Sequence, residues 1–219
     1  MRLLVIPALV GVLSLNFLMV NPDSKQAELI HHLQISAQEV EKIAELENER
    51  ELERTKVLKI IERFNPEMPA GMKDAIFDEI YKMSQKYPNL NVELICATIT
   101  HESGRKWDPK AVSKAGAMGL MQLMPYTGKG LAKYEDIEWT NAEEILFHPI
   151  YNIRMGCRYL SALIETYELE GGLAAYNGGE KIVEKWLAND KADGILWDET
   201  QNYIPFILKL YHEFRSYTL

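Results

Sequence analysis

The stretch "ICATITHESG" at 95–104 decides how this chain is to be read. Ile95, Ala97 and Ile99, with Val92 and Leu94 just before them, place apolar side chains on both faces of any helix formed here. A helix without a polar face belongs in a core. It runs out in His101-Glu102-Ser103-Gly104, a stop signal, yet a carboxylate is expensive to bury. At the carboxyl end of a core helix, lost hydration and the negative end of the dipole both favour the protonated form. A carboxylic acid still protonated near neutral pH is what a general acid requires. From this stretch alone, a glutamate simply exposed at a helix end is the simpler reading, since charged residues mostly sit on surfaces.

The flanking segments are helical too. Ile76, Ile80 and Met83 share one face over 74–86, ending at Pro88. Thr140-Asn141-Ala142-Glu143 has the form of a capping box for a short helix that ends before Pro149. Ile153, Cys157, Leu160, Ile164 and Tyr167 stripe a longer helix expected to stop at Gly171-Gly172. Tyr203, Ile207, Leu210 and Phe214 stripe the last one, with Pro205 allowed only in or near its first turn. No convincing alternating strand occurs, so the fold class is mainly α.

The amino-terminal part differs in kind. In residues 3–20 only Ser14 and Asn16 are polar. As a helix this run would reach about 27 Å, close to the thickness of a bilayer core. "LNFLMVNPD" offers no small-x-small cleavage site, so 1–20 reads as a membrane anchor in preference to a cleaved signal peptide. Arg2 ahead of the run, with no basic cluster after it, predicts the body of the chain outside the membrane. The working part is therefore expected to be exported, on the periplasmic or cell-wall side, or secreted if 1–20 is removed. Ser24 can cap a stalk helix over 24–63, whose "ELENERELERTK" (45–56) is mostly charged. A coiled-coil seam continued from Val40 and Ile43 lands on Glu47, Arg50 and Arg54, leaving weak self-association at most. "FNPEMPAG" (64–71) reads as the linker to a domain over 72–219.

Composition removes several classes. Lysine and arginine number 24 against 32 acids, a formal charge of −8 with no basic block, which argues against nucleic acid. Cys96 and Cys157 lack CxxC spacing, and "HESGR" (101–105) lacks the second histidine of HExxH, so neither zinc motif is present. In an exported chain the two cysteines are compatible with a disulfide or with two buried thiols. Trp107, Trp139, Trp186 and Trp197, and likewise Met118 and Met121, read as packing; His101 reads as a surface or capping residue.

Two further segments give Glu102 something to face. "AVSKAGAMGLMQLMPYTG" (111–128) and "GLAAYNGGE" (172–180) combine small residues, which let backbone approach a ligand, with Gln, Asn and Tyr, which suit a polyhydroxyl chain. The second segment is expected to hold Tyr176-Asn177 in a tight glycine turn between helices. "ES" at 102–103, "GLMQLMP" at 119–125, "AAYNGG" at 174–179 and "ETQNY" at 199–203, with "NIRMGCRYLSAL" at 152–163, occur in the order seen in soluble-lytic-transglycosylase domains. Over about 75–215 the chain resembles that family, the goose-lysozyme-like branch of the lysozyme superfamily.

The resemblance implies a lysozyme-like helical domain that cleaves the β-1,4 bond between N-acetylmuramic acid and N-acetylglucosamine in peptidoglycan glycan strands, without metal or cofactor. Glu102 matches the single catalytic acid/base and Ser103 follows it. Ser113, Gln122, Met124 and Thr127 match residues lining the glycan groove, and Tyr176, Asn177 and Tyr203 match groove residues around the acid. Between Glu102 and Ser113 this chain carries about two residues more than the common pattern ("GRKWDPKAV"). A hydrolytic muramidase on the same fold and an inactive glycan-binding or scaffold module remain the alternatives, with a partner-binding stalk as a third.

Overall fold

The structure is a computed structural model and describes residues 24–217. The anchor expected over 1–20 and the side-chain cap expected at Ser24 lie outside what it describes. Among the described residues there are eight helices and no strand, only two isolated bridges, Val112–Met118 and Met118–Leu123. No helix among them is long and apolar enough to cross a membrane. The mainly α expectation therefore holds.

Helix α1 (Ser24–Phe64) is continuous, but the chain divides into two compact units between Glu51 and Leu52, inside that helix. In the first unit Leu29, Leu33, Val40 and Ile43 are exposed. In the second, Val57, Ile60 and Ile61 are fully buried in the main core. The division thus falls earlier than the proline-rich linker at 64–71. The reason is the i, i+3, i+4, i+7 spacing of Val57, Ile60, Ile61 and Phe64, an apolar face hidden among charges. Those charges help to seat it: Lys56 Nζ lies 2.6 Å from Glu93, Arg54 pairs with Asp74 at 2.5 Å, and Arg63 donates to Glu213.

Helix α2 (Ala70–Lys86) buries Ile76, Phe77, Ile80 and Met83. Helix α3 (Val92–Glu102) begins at Asn91, whose side chain accepts from the Leu94 N–H, and every residue from Val92 to Thr100 is buried. Helices α4 (Pro125–Ala132) and α5 (Ala142–Leu146) follow. The cap of α5 lies one residue later than expected: Asn141, not Thr140, accepts from the Glu144 N–H. Asn141 takes that role because its extended backbone (φ −146°, ψ 166°) turns its side-chain oxygen onto the N3 amide, while Thr140 bonds the Glu144 carboxylate.

Helix α6 spans Pro149–Gly178 with a break at Glu168 (φ 60°, ψ 179°). Its striped part ends at that break, three residues before the expected Gly171-Gly172. Both glycines are buried inside its second part, where a Cβ on Gly172 would sit 2.7 Å from Ile164 backbone. They serve close packing, not termination. After α7 (Glu180–Leu187), helix α8 (Asp198–Arg215) contains Pro205 well past its first turn, against expectation. Proline there leaves one carbonyl without its intrahelical donor. The buried stripe Tyr203, Ile207, Leu210 and Phe214 continues through it and holds the helix on the core.

Candidate active site

Glu102 is the last residue of α3, and the turn after it is built to stop the helix. Gly104 has φ +60°, and its N–H donates to the His101 carbonyl at 3.0 Å while the Arg105 N–H reaches Thr100 at 2.8 Å. This crossed pair is a Schellman closure, which satisfies the final carbonyls and requires the left-handed residue that glycine supplies. The closure leaves the Glu102 side chain projecting from the end of a fully buried helix.

Tyr203 arrives from α8. Its ring is buried and its hydroxyl donates to Glu102 Oε1 at 2.7 Å. Burial raises the Glu102 carboxyl, the Tyr203 hydrogen bond pulls it back and the charge of Glu199 adds to the rise, which together leave it at about 7. Burial also raises the Tyr203 and Tyr176 hydroxyls well above the ordinary phenol range, with the Glu102 charge adding to both. Both phenols are therefore neutral at any physiological pH and act as donors.

Tyr176 does not sit in the glycine turn. It and Asn177 occupy the last turn of α6, and the turn itself is at Gly179 (φ +87°). Helical geometry lets Tyr176 donate to the Met121 carbonyl at 2.8 Å, while Asn177 accepts from the Thr200 hydroxyl at 2.7 Å. The two contacts tie the end of α6 to the 119–124 loop and to the start of α8.

That loop is organised by a residue the sequence did not single out. Asn152 is fully buried on α6; its amide oxygen accepts from Met121 N–H at 2.7 Å, and its nitrogen donates to the Met118 and Leu146 carbonyls. A Cβ on Gly119 (φ +82°) would lie 2.3 Å from the Asn152 amide nitrogen, so the close approach requires glycine. The available signal was a polar residue at the edge of an apolar stripe. Gln122, at φ 47°, donates to the Ala111 and Gly119 carbonyls and leaves its amide oxygen for another partner. Met124 is 43% exposed at the cap of α4, and Thr127 is half-buried in that helix. Ser113 closes its own turn, accepting from the Ala117 N–H at 3.0 Å.

Two further placements differ from expectation. Ser103 is 4% exposed and its hydroxyl accepts from the Trp107 N–H at 3.0 Å, so it holds the loop and is not presented to a groove. As the cap of α3 it points back into the turn that follows. His101 is not a surface residue: its ring meets Tyr203 and Phe206 edge-on at 4.7 and 5.0 Å, and burial lowers its pKa. Its Nδ1 is buried without a hydrogen-bond partner. The two cysteines are free thiols, both buried.

The arrangement can donate and recover a proton at one carboxyl, beside a neutral phenol that fixes one of its oxygens. Residues 79–196 match the family model described as the transglycosylase SLT domain. The chain is 32% identical over 112 residues to the soluble lytic murein transglycosylase of Escherichia coli K12, covering 47% of this chain and 17% of that one. It is 34% identical over 123 residues to membrane-bound lytic murein transglycosylase C of Shigella sonnei, covering 51% and 33%. The crystal structure of the 70 kDa soluble lytic transglycosylase of Escherichia coli superimposes with a TM-score of 0.58 at 27% identity, covering 71% of this chain and 25% of that one. The chain thus spans from about a sixth to a third of the length of these curated relatives. With its family model matched over more than half its length, including the helix that ends in Glu102, the chain belongs to the transglycosylase SLT domain family.

Proposed function

We propose that this protein is a peptidoglycan lytic transglycosylase in which Glu102 serves first as acid and then as base. The observation that carries the proposal is the Glu102–Tyr203 pair: a carboxyl desolvated until it titrates at about 7, held by a phenol that cannot ionise. Tyr203 donates to Oε1, which leaves Oε2 to carry the proton toward substrate.

In this scheme protonated Glu102 gives its proton to the oxygen leaving from C1 of N-acetylmuramic acid, and the C1–O4 bond breaks. The 2-acetamido group of the same sugar assists. The carboxylate then takes the proton from that sugar's 6-hydroxyl as O6 bonds C1, giving a 1,6-anhydro end and restoring the acid. Atoms balance without water. Two-carboxylate glycosidases need a second group to act as nucleophile or to activate water. Here the nucleophile is already tethered, an entropic advantage when solvent is excluded. Gln122, Met124, Thr127, Tyr176 and Asn177 supply the walls of the glycan groove, with Ser113 at its rim. Residues 3–20 anchor the chain in the cytoplasmic membrane, and the enzyme works on the outer side.

Digestion of purified sacculi by wild type and Glu102→Gln, with products read by mass spectrometry, tests the proposal. Anhydro-terminated muropeptides from wild type alone are expected. Reducing ends in their place would make the enzyme a hydrolytic muramidase, and equal behaviour of the two proteins would leave only glycan binding.

A further inference from the structure

The segment after Glu102, longer than the common pattern, folds into a loop with three left-handed residues in four: Gly104 (φ 60°), Arg105 (φ 62°) and Trp107 (φ 47°). Two of these are not glycine, and such a backbone persists only where its surroundings over-determine it. What surrounds it comes from the end of α1. Asn65 donates through Nδ2 to the Trp107 carbonyl at 3.2 Å, and the Arg105 guanidinium lies over the Phe64 ring at 5.6 Å. Trp107, fully buried, in turn donates from its backbone N–H to Ser103 Oγ and from its indole to Thr100 Oγ1, each at 3.0 Å. Those two acceptors flank Glu102 in the chain.

We infer that the end of α1 and the 103–108 loop form a brace for Glu102, in which Asn65, Trp107 and Ser103 are positioning residues that keep water from its carboxyl. The inference rests on the reading of Glu102 as the acid/base. It makes the turn that follows the stalk helix a working part of the site. The same loop supplies the amides that cap α3, so a loosened brace opens the end of the helix to solvent. Because burial is the main force raising the Glu102 carboxyl, added water must lower it. The groups facing that carboxyl are Tyr203 and Glu199 from α8 and Tyr176 from α6, while the His101 ring packs on Tyr203; none is altered by a change at Asn65.

The test uses the full-length chain with Asn65→Ala and Asn65→Asp, the latter isosteric but without the donor. Asn189→Ala removes an equivalent surface bond, to the Lys185 carbonyl, as control. The Glu102 pKa is read by carboxyl carbon NMR, assigned through Glu102→Gln, and kcat and KM on a soluble glycan strand. Both Asn65 variants are expected to lower the Glu102 pKa by about half a pH unit or more, and kcat about three- to tenfold with KM nearly unchanged. Ser103→Ala should act in the same direction, and combining it with Asn65→Ala should lose less than the sum of the two. If the Asn65 variants lower the melting temperature but keep the Glu102 pKa and kcat of the control, the brace is overturned. Loss of the NMR shift counts against the brace whether or not the chain cleaves glycan; a shift with an inactive wild type would sink the proposed activity instead.

Discussion

Two carboxylates of the second unit, half-buried Glu102 at the end of α3 and buried Glu135 just after α4, are driven apart by their surroundings. Burial pushes the Glu135 carboxyl up, but hydrogen bonds from Lys86, Arg158 and Tyr87 outweigh it and hold the group below the usual range. The three donors lie 2.8, 2.9 and 3.0 Å away. Glu102 has one donor, a neutral phenol, and its neighbouring charge is another carboxylate, so burial prevails. Loss of water is common to both; what replaces the water decides the sign. A structural carboxylate is given cations, while a reactive one is denied them.

The largest test of this contrast is catalytic. Glu102→Gln should lower muropeptide release roughly 10²- to 10⁴-fold, the usual worth of a general acid–base group. Glu135→Gln should change it little, and an equal loss would break the distinction. Next comes stability. Glu102 titrates near 7 when folded and near 4.5 when exposed, so its stabilising protonated form is fully present only below the lower value and is lost as pH rises through the higher. Glu102→Gln should therefore unfold later in urea at pH 8, by up to about 3 kcal/mol, and gain far less at pH 5. A gain independent of pH would exclude a desolvated acid.

Glu135→Gln should cost about 1–2 kcal/mol at pH 7, less than a deeply buried pair, because the Lys86 and Arg158 side chains are 40% and 33% exposed and can return to water. Its folded pKa is depressed, so that difference should close as pH falls below the carboxylate range. The smallest effect is at Tyr203. Tyr203→Phe removes a bond that lowers the Glu102 pKa, so the basic limb of the pH–activity profile should move upward, with a loss of about 1 kcal/mol in transition-state stabilisation. A limb moving downward would mean that the phenol contributes mainly through exclusion of water.

Much of the local structure was legible because it depends on neighbours in sequence. The all-round apolar pattern of 92–100 required a buried helix, and Ser103-Gly104 required its end, so the sequence alone placed Glu102 at a core helix terminus. The stripes of α2, α6 and α8 were legible for the same reason. Errors cluster where the deciding contact is distant. Gly171 and Gly172 carry a terminator's signature, yet they lie inside the second part of α6, packed closely on Tyr167 and Ile164 respectively. Pro205 is tolerated because the core contacts of α8 compensate for one missing bond. Val57, Ile60 and Ile61 look like part of a charged stalk until the core they join is known.

By itself the sequence determined that this is a helical chain with a carboxylate at the end of a buried helix and amide-bearing glycine loops able to approach a ligand. Those properties follow from spacing and residue type within a few turns. Tertiary structure alone decided what that carboxylate is. Tyr203 lies 101 residues away and contributes the hydroxyl on Oε1, Ser103 turns inward to hold Trp107, and Asn65 reaches across from the turn after the stalk helix. A pKa is set by the solvent and charge around a group, and those come from segments that only folding brings together.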